Sequence, residues 1–448
     1  GADVDTYIPD RVADGYGIHA HLIERAETDR IDTIVTCDNG IAAAAEIQMA
    51  KDKGMTVIIT DHHEVPYREE KGERQMVLPP ADAILNPKQY DCPYPNKNLC
   101  GAVVAFKYIA ALYERFGVPA EELEDYYELA AIATVGDVMD LQGENRILVK
   151  EGLYRLRNTK NQGLQELIRA NSLEDAKITA YHIGFVLGPC INASGRLDTA
   201  ARSLALLNAK TKEEAARLAG DLTALNQSRK ALTEKGKEEA IRIIETTELK
   251  NDRVLVVYLP DCHESLAGII AGRIREKYHR PAFVLTGGET SAKGSGRSIE
   301  SYSMYEELVK CADLMIQFGG HPMAAGLSIE EKNIEEFRRR LNVNCTLTDE
   351  ELRPKIVIDV PMPVSYITKE LVEQISLLEP FGKGNTKPVF AQKNLRVLDY
   401  SIIGKNKNVL KLKLLDPQGI SVEGIYFGEA EDFVNFIREK DSISVTYY

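Results

Sequence analysis

The sequence predicts an α/β chain: a parallel-sheet domain, a long connecting helix, a second α/β domain, and then a small β-barrel. Three observations carry this. β-branched runs alternate with alanine-rich helical stretches over the first two hundred residues, the signature of βαβ units and a parallel sheet. A proline-free segment from Thr211 to about Thr247 keeps one apolar face at three-four spacing. The last hundred residues break into short β-like runs separated by Gly, Asn and Pro.

In order along the chain, "IDTIVT" (31–36) is expected to be a strand, "IAAAAEIQMAKDK" (41–53) a helix, and "MTVIIT" (55–60) a second strand. "DAILNP" (82–87) reads as a third strand stopped by Pro87, and 101–117 and 127–140 as helices with wide apolar faces. In the long helix, Thr211 and Glu214 have the capping-box spacing, and Leu218, Leu222, Leu225, Arg229 and Leu232 follow one face. Beyond it, "RVLVVYLP" (253–260) and "PAFVLT" (281–286) are strand candidates flanking the helical "SLAGIIAGRIREKY" (265–278). The terminal strands come from "PVFAQKNLRVLDYSII", "VLKLKLLDP", "ISVEGIYFG" and "SISVTYY". The domain division expected is 1–205, 206–250 for the connecting helix, 251–345, and 350–448.

Composition narrows the class. At 448 residues the chain exceeds one ordinary core, and 44% hydrophobic with 27% charged residues is typical of soluble globular proteins. No apolar run approaches a membrane span, and "GADVDTYIPD" does not read as a signal peptide. Seven cysteines without a CxxC argue against a disulfide framework and a cysteine zinc site, so a reducing cytoplasm is expected. A net charge of −13 argues against indiscriminate adhesion to nucleic acid, yet leaves room for a local basic groove.

Two strand candidates end in acid: Asp38 in "IDTIVTCDNG", and Asp61, His62 and His63 in "MTVIITDHH". Ligands of open parallel sheets gather outside the carboxyl ends of the strands, so both clusters fall on one edge. Asp137, in "TVGDVMDL", ends an apolar helix. Carboxylates with imidazole suit Mn²⁺ or Mg²⁺, and a pair of such ions about 3.5–4 Å apart is the usual clamp for phosphoryl transfer. Taken alone, Asp38 before Asn39-Gly40 reads as a turn former rather than a ligand. Two adjacent histidines at a strand end are harder to dismiss, because each buried imidazole needs partners.

A second constellation concerns anions. "GPCINASGRLD" (188–198) offers Ser194, Gly195 and Arg196, and "KGSGRS" (293–298) repeats the chemistry with Ser295, Gly296 and Arg297. "FGGHPMAAG" (318–326) adds Gly319, Gly320 and His321, where glycines allow backbone to approach a ligand. All three are expected in loops, where any one alone would be an ordinary glycine turn. "GKGNTKP" (382–388) reads as a turn and not a phosphate loop. GxxxxGK[ST], HExxH and GxSxG are missing, so P-loop hydrolysis, zincin and α/β-hydrolase chemistry are unsupported.

Together these residues resemble the DHH phosphoesterase superfamily and, within it, the RecJ family of single-strand-specific exonucleases. "YIPDRVADGYGI", "TCDNG", "TDHHE", "LCGAVVAFK", "GDVMDL" and "GPCINASGRLD" follow that family's catalytic domain in order. "AGRIREKYHRPAFVL", "KGSGRSI" and "FGGHPMAAGLSI" look like its DHHA1 domain, and "LLEPFGKGNTKPVF" like the lead-in to its OB-fold. The resemblance implies a two-metal nuclease, using Mn²⁺ or Mg²⁺, that degrades single-stranded DNA processively from the 5′ end in repair and recombination. It implies Asp38, His62 and Asp137 as metal ligands, and Asp61 and His63 as the rest of the catalytic motif. Arg11, Arg196, Ser295, Arg297 and His321, with Gly319 and Gly320, would hold substrate phosphates. Lys405, Lys407, Lys411 and Lys413 would track the strand on the OB-like tail.

The family's first aspartate cluster should precede "GADVDTYIPDR"; Asp3 and Asp5 mimic its spacing but are not assigned as ligands. "SISVTYY" reads as a strand inside a barrel, so a fragment is expected. A monomer is expected, with single-stranded DNA, a helicase and a single-strand-binding protein as partners, and no membrane. Two other readings stay open: a DHH phosphoesterase of short oligonucleotides or small phosphate esters, and a non-catalytic single-strand-binding scaffold.

Overall fold

A computed structural model describes the chain except residues 1–2, 10–13, 15–16, 71–72, 289, 405–406, 429, 439 and 441. Arg11 and Lys405 therefore lie outside the described residues. The chain divides into two compact units: residues 1–137 with 151–354, and residues 138–150 with 355–448.

The first unit opens with a three-stranded parallel sheet, Thr33–Cys37, Thr56–Thr60 and Ala83–Leu85, with Thr56–Thr60 in the middle. Cys37 pairs with Thr60, and Thr60 with Leu85, so all three strands end level. That register carries the residues after Cys37 and Thr60 to the same edge. Ile47 and Ala50 from helix Ala44–Asp52 pack with Met55, Val57 and Ile59 beneath the sheet. The helix starts three residues later than its apolar run suggests, because Gly40 turns at φ +109° and the Ile41 amide is taken by the Asp61 carboxylate. The helix expected over 127–140 is Tyr126–Gly136; Asp137 is its C-cap and Val138 leaves in a left-handed conformation, φ +56°.

Residues 188–198 correct the expectation of a loop. Gly188–Leu197 is an α-helix continuing from a π-helical turn at Ile183–Leu187, with Pro189 directly after that turn. The long helix spans Lys212–Thr246, capped by the Thr211 hydroxyl accepting from the Glu214 amide at 3.2 Å. Leu218 and Leu222 are buried as expected, but Leu232 is 45% exposed. Past it, the buried face passes to Ala240 and Ile244, which join a different core.

That core belongs to a five-stranded mixed sheet, in the order Leu255–Leu259, Ala282–Thr286, Ala292–Arg297, Ala324–Ile329, Met315–His321. Helix Glu264–Tyr278 covers one face through Leu266, Ile270 and Ile274; Met304, Phe337 and Leu341 fill the other against Val256, Phe283 and Leu285. "GSGR" and "GGH" are strands here, not loops. The glycines disguise them: a Cβ at Gly296 would sit 2.5 Å from Met304 Sδ and 2.6 Å from Phe283 Cε1, so close packing excluded the apolar alternation that identifies a strand.

In the second unit, the long strand Phe390–Ile403 begins an antiparallel meander with Val409–Leu415 and Ser421–Phe427. Helix Ala430–Ile437 follows, and Ile443–Tyr447 returns to the first half of the long strand. This is the strand connection of an OB-type curled sheet. Leu395, Leu410, Leu412, Leu414, Val434 and Ile443 form its core. Of the lysines expected to track a strand, Lys411 is paired with Glu423 at 3.0 Å. "GKGN" is a turn, as expected, closed by pairing of Gly382 with Asn385.

Candidate metal centre and anion cleft

At the common strand edge, Asp38 adopts φ +64°, while its N–H donates to Thr60 O at 2.9 Å. The left-handed turn sends its carboxylate back over the sheet edge. There it meets the start of helix Gly101–Phe116: a Cβ on Gly101 would lie 2.3 Å from Asp38 Oδ1. Only glycine leaves room for that carboxylate.

Asp61 is buried and fully engaged. Its Oδ1 accepts from the amides of His62 (2.7 Å) and His63 (3.2 Å) and lies 2.7 Å from His63 Nδ1; its Oδ2 accepts from Ile41 N–H at 2.9 Å. Burial pushes this carboxyl up, but the hydrogen bonds from the His63 ring and from the Ile41 and His63 amides outweigh it and leave it below its usual range. The same contact raises His63, against the opposing effect of burial, and the charges of Asp61, Asp38 and Asp137 add to it. Asp61 reads as an orienting group, its Oδ1 occupied by three donors and its Oδ2 by the Ile41 amide.

His62 points the other way. Its Nε2 lies 3.0 Å from Asp38 Oδ1 and 3.5 Å from Asp137 Oδ2. Its Nδ1 is buried without a hydrogen-bond partner. One ring proton can serve only one of the two carboxylates, so this convergence of acceptors fits a cation held between them. Burial, assisted by the Asp38 charge and opposed by His62, holds the Asp137 carboxyl above its ordinary value. Ligand atoms of Asp38, His62 and His63 lie within 4.8 Å of one another. Two carboxylates with imidazole form a hard, oxygen-rich donor set, suited to Mn²⁺ or Mg²⁺ rather than to a thiolate-bound metal.

The second feature is a cleft of about 460 Å³ lined by Arg196, Ser265, Gly268, Lys293, Ser295 and Arg297, among others. Arg196 Nη1 donates to Ser265 O at 2.9 Å and Ser265 Oγ donates to Arg196 O at 3.0 Å, latching helix Gly188–Leu197 to the start of helix Glu264–Tyr278. His263 caps the latter helix, its Nδ1 accepting from the Ser265 amide. Arg297 donates to Ser295 Oγ at 3.1 Å and to Gly296 O at 2.7 Å, and a Cβ at Gly268 would reach within 2.7 Å of Arg297 Nη2. Lys293 pairs with Glu264 at 2.7 Å. Three cations against one carboxylate make the cleft electropositive on an acidic chain.

Not every expected anion group reaches this cleft. Gly319 lines it, whereas Gly320 and His321 do not: Gly320 lies in the strand opposite Ala325 at φ +150°, where a Cβ would run into Ala324 and Ala325. Ser194 is buried against Ser203 at 2.7 Å. His263, Ser265 and Gly268 were missed by motif reading, and Gly101 was read only as part of "LCGAVVAFK", with no role of its own. The one available signal was "CHES", a capping pattern ahead of an apolar helix.

Three family models match in order: the DHH family N-terminal domain over residues 1–134, the DHHA1 domain over 251–345, and the RecJ OB domain over 358–448. The single-stranded-DNA-specific exonuclease RecJ of Bacillus subtilis strain 168 is 38% identical over 417 residues, covering 92% of this chain and 51% of that protein. Its counterpart in Salmonella typhimurium strain LT2 is 35% identical over 426 residues, covering 90% and 72%. The crystal structure of RecJ in complex with Mn²⁺ from Thermus thermophilus superimposes with a TM-score of 0.76 at 29% identity, covering 95% of this chain and 60% of that one. The chain thus spans about half the length of the B. subtilis relative and about seven-tenths of the Salmonella one. With DHH, DHHA1 and OB domains in that order, the chain belongs to the RecJ family.

Proposed function

We propose that this chain carries the catalytic and strand-binding parts of a metal-dependent exonuclease that hydrolyses single-stranded DNA from the 5′ end to mononucleotides. The observation that carries the reading is the convergence of Asp38 and Asp137 on His62 Nε2 at an edge where His63 is already oriented by Asp61. Asp38, His62 and Asp137 would hold Mn²⁺ or Mg²⁺, which when bound supplies an acidified water and a counter-charge for the scissile phosphate. His63 Nδ1, tied to Asp61, leaves Nε2 to donate to a phosphate oxygen or hold a proton for the leaving group; its raised basicity favours the imidazolium needed for either task. Arg196 and Arg297 neutralise phosphate charge, Ser295 adds a hydroxyl donor, and the latch between Arg196 and Ser265 fixes the guanidinium before substrate arrives.

The names of the similar proteins support single-stranded DNA as substrate, and the RecJ OB domain supports a strand-binding tail. A cytoplasmic role in repair and recombination beside a helicase and a single-strand-binding protein goes with this reading. No helix among the described residues is long and apolar enough to cross a membrane. The test is a 5′-labelled single strand incubated with the protein across a metal series. Mononucleotide release in Mn²⁺, with duplex of the same sequence left whole, is expected; strands that stay intact in every metal refute the assignment.

A further inference from the structure

Arg229 interrupts an apolar helix face. In the long helix it follows Leu218, Leu222 and Leu225 at three-four spacing, where the pattern calls for another aliphatic side chain. Asn226, 3% exposed, accepts on its Oδ1 from Arg229 Nε at 3.1 Å and from Nη2 at 2.9 Å. Which way that amide faces is set from behind. Its Nδ2 donates to Cys190 Sγ at 3.2 Å, and the buried Cys190 thiol donates to Asn171 Oδ1 at 3.7 Å. One edge of the guanidinium is thereby fixed to a neutral amide, and Nη1 has no hydrogen-bond partner among the described residues.

A half-buried cation held in this way is costly unless an anion meets it. No carboxylate among the described residues pairs with Arg229; burial, and then the nearby charge of Arg273, lower its pKa. Arg273, on helix Glu264–Tyr278, pairs with Glu276 at 3.0 Å, but both side chains are more than half exposed and such a pair neutralises little. The two arginines also continue the cleft of Arg196 and Arg297. Ile269 lines that cleft, and Gly272 still faces Arg297, a Cβ there lying 4.0 Å from Arg297 Cγ. Arg273 is one turn beyond Ile269 on the same helix face. From Ser265, latched to Arg196, to Arg273 is eight residues, about 12 Å of helix, too far for one phosphate to serve both ends.

We propose that Arg229 and Arg273 form a second phosphate subsite, which takes a backbone phosphodiester of the single strand farther along than the one at Arg196 and Arg297. Asn226 and Cys190 orient Arg229 in advance, so that its Nη1 edge is left for the phosphate oxygens. The inference rests on the single-strand reading given above.

The test is fluorescence anisotropy of a labelled oligothymidylate long enough to pass beyond the cleft, with the full chain and no divalent metal, over a salt series, beside thermal melts. Arg229→Met keeps the stem and removes the charge. It should weaken strand binding about three- to tenfold and make the salt dependence shallower by about 0.7. The loss should be larger for the long strand than for a dinucleotide. Arg229→Lys should recover part of the affinity, and Arg229→Met/Arg273→Ala should roughly double the change in slope. Lys230→Ala removes the same charge from the neighbouring, exposed face of the helix and should leave the slope as in wild type. Because Arg229→Met takes out a half-buried charge, it should melt no lower than wild type. A purely structural Arg229 would give the reverse, a lower melting temperature with an unchanged slope, and that result overturns the proposal. So does a variant that binds the strand as wild type does but loses affinity for an acidic peptide, since the pair would then serve a protein partner. If Arg229→Met does not fold, Arg273→Ala alone decides by the same slope. Wild-type protein that binds the strand yet never cuts it overturns the nuclease reading alone, and wild-type protein that binds no strand overturns both.

Discussion

Gly101→Ala is the sharpest probe of the proposed metal centre. At a helix's first residue, alanine in place of glycine would ordinarily stabilise by up to about 1 kcal/mol, since it limits the unfolded chain more than the folded one. Here the new methyl would lie 2.3 Å from Asp38 Oδ1, 2.5 Å from Asp38 Cβ and 2.6 Å from Cγ, roughly 1 Å inside ordinary contact for all three atoms. Asp38 cannot retreat along its backbone: its N–H is bonded to Thr60 O and its φ is fixed at +64°. Either the helix start moves or the carboxylate swings off the line to His62. Overpacking of this kind costs about 1–3 kcal/mol, more than the helical gain, so the melting temperature should fall by several degrees. Displacing Asp38, one of the proposed ligands, by about 1 Å should weaken Mn²⁺ binding about ten- to a hundredfold. Calorimetric metal titration beside a thermal melt reads both. An alanine variant that melts higher and binds Mn²⁺ as tightly as wild type would falsify the packing argument.

Three further outcomes follow from the same geometry. Arg196→Ala should weaken single-strand binding evenly across sequences and make the salt dependence shallower by about 0.7, one phosphate contact's worth; an unchanged slope would remove Arg196 from the phosphate set. Gly296→Ala should destabilise the second domain by about 1–3 kcal/mol, because Met304 and Phe283 occupy the space, and denaturant unfolding checks this. Glu128 is buried, and burial raises its pKa although the Thr159 hydroxyl donates to it. A carboxyl raised on folding contributes stability below its unfolded value of about 4.5, lost as pH rises through the folded value. Glu128→Gln should therefore melt above wild type near neutral pH, with the gap closing below about pH 4.5; a pH-independent gap would contradict the titration argument.

Much of the centre was legible because parallel sheets impose one rule: acids that end neighbouring strands share an edge. The level register of Cys37 and Thr60 is that rule realised. Asp137 could be read from its glycine and the apolar helix before it, but not the helix's early stop, which depends on Val138. The anion groups were legible as chemistry and misplaced as structure. Gly188 and Pro189 look like a loop until the helix around them is packed, and Ser295-Gly296-Arg297 looks like a turn until strands bond it on both sides. In each case tertiary contact overrode a local signal. The hydrogen bond from Gln142 to Gly384 spans 242 residues, and no local pattern announces it.

The saturation of Asp61 has a consequence for what this position can become. Three donors converge on Oδ1 and one on Oδ2. Asparagine has the same shape, but one of its two terminal atoms carries hydrogens. Turned one way, its NH₂ faces the Ile41 amide; turned the other, it faces the amides of both histidines. A melt of Asp61→Asn superimposable on wild type would contradict this. Otherwise Asp61 admits no neutral isostere, and the charge there is an architectural necessity whatever chemistry the edge performs.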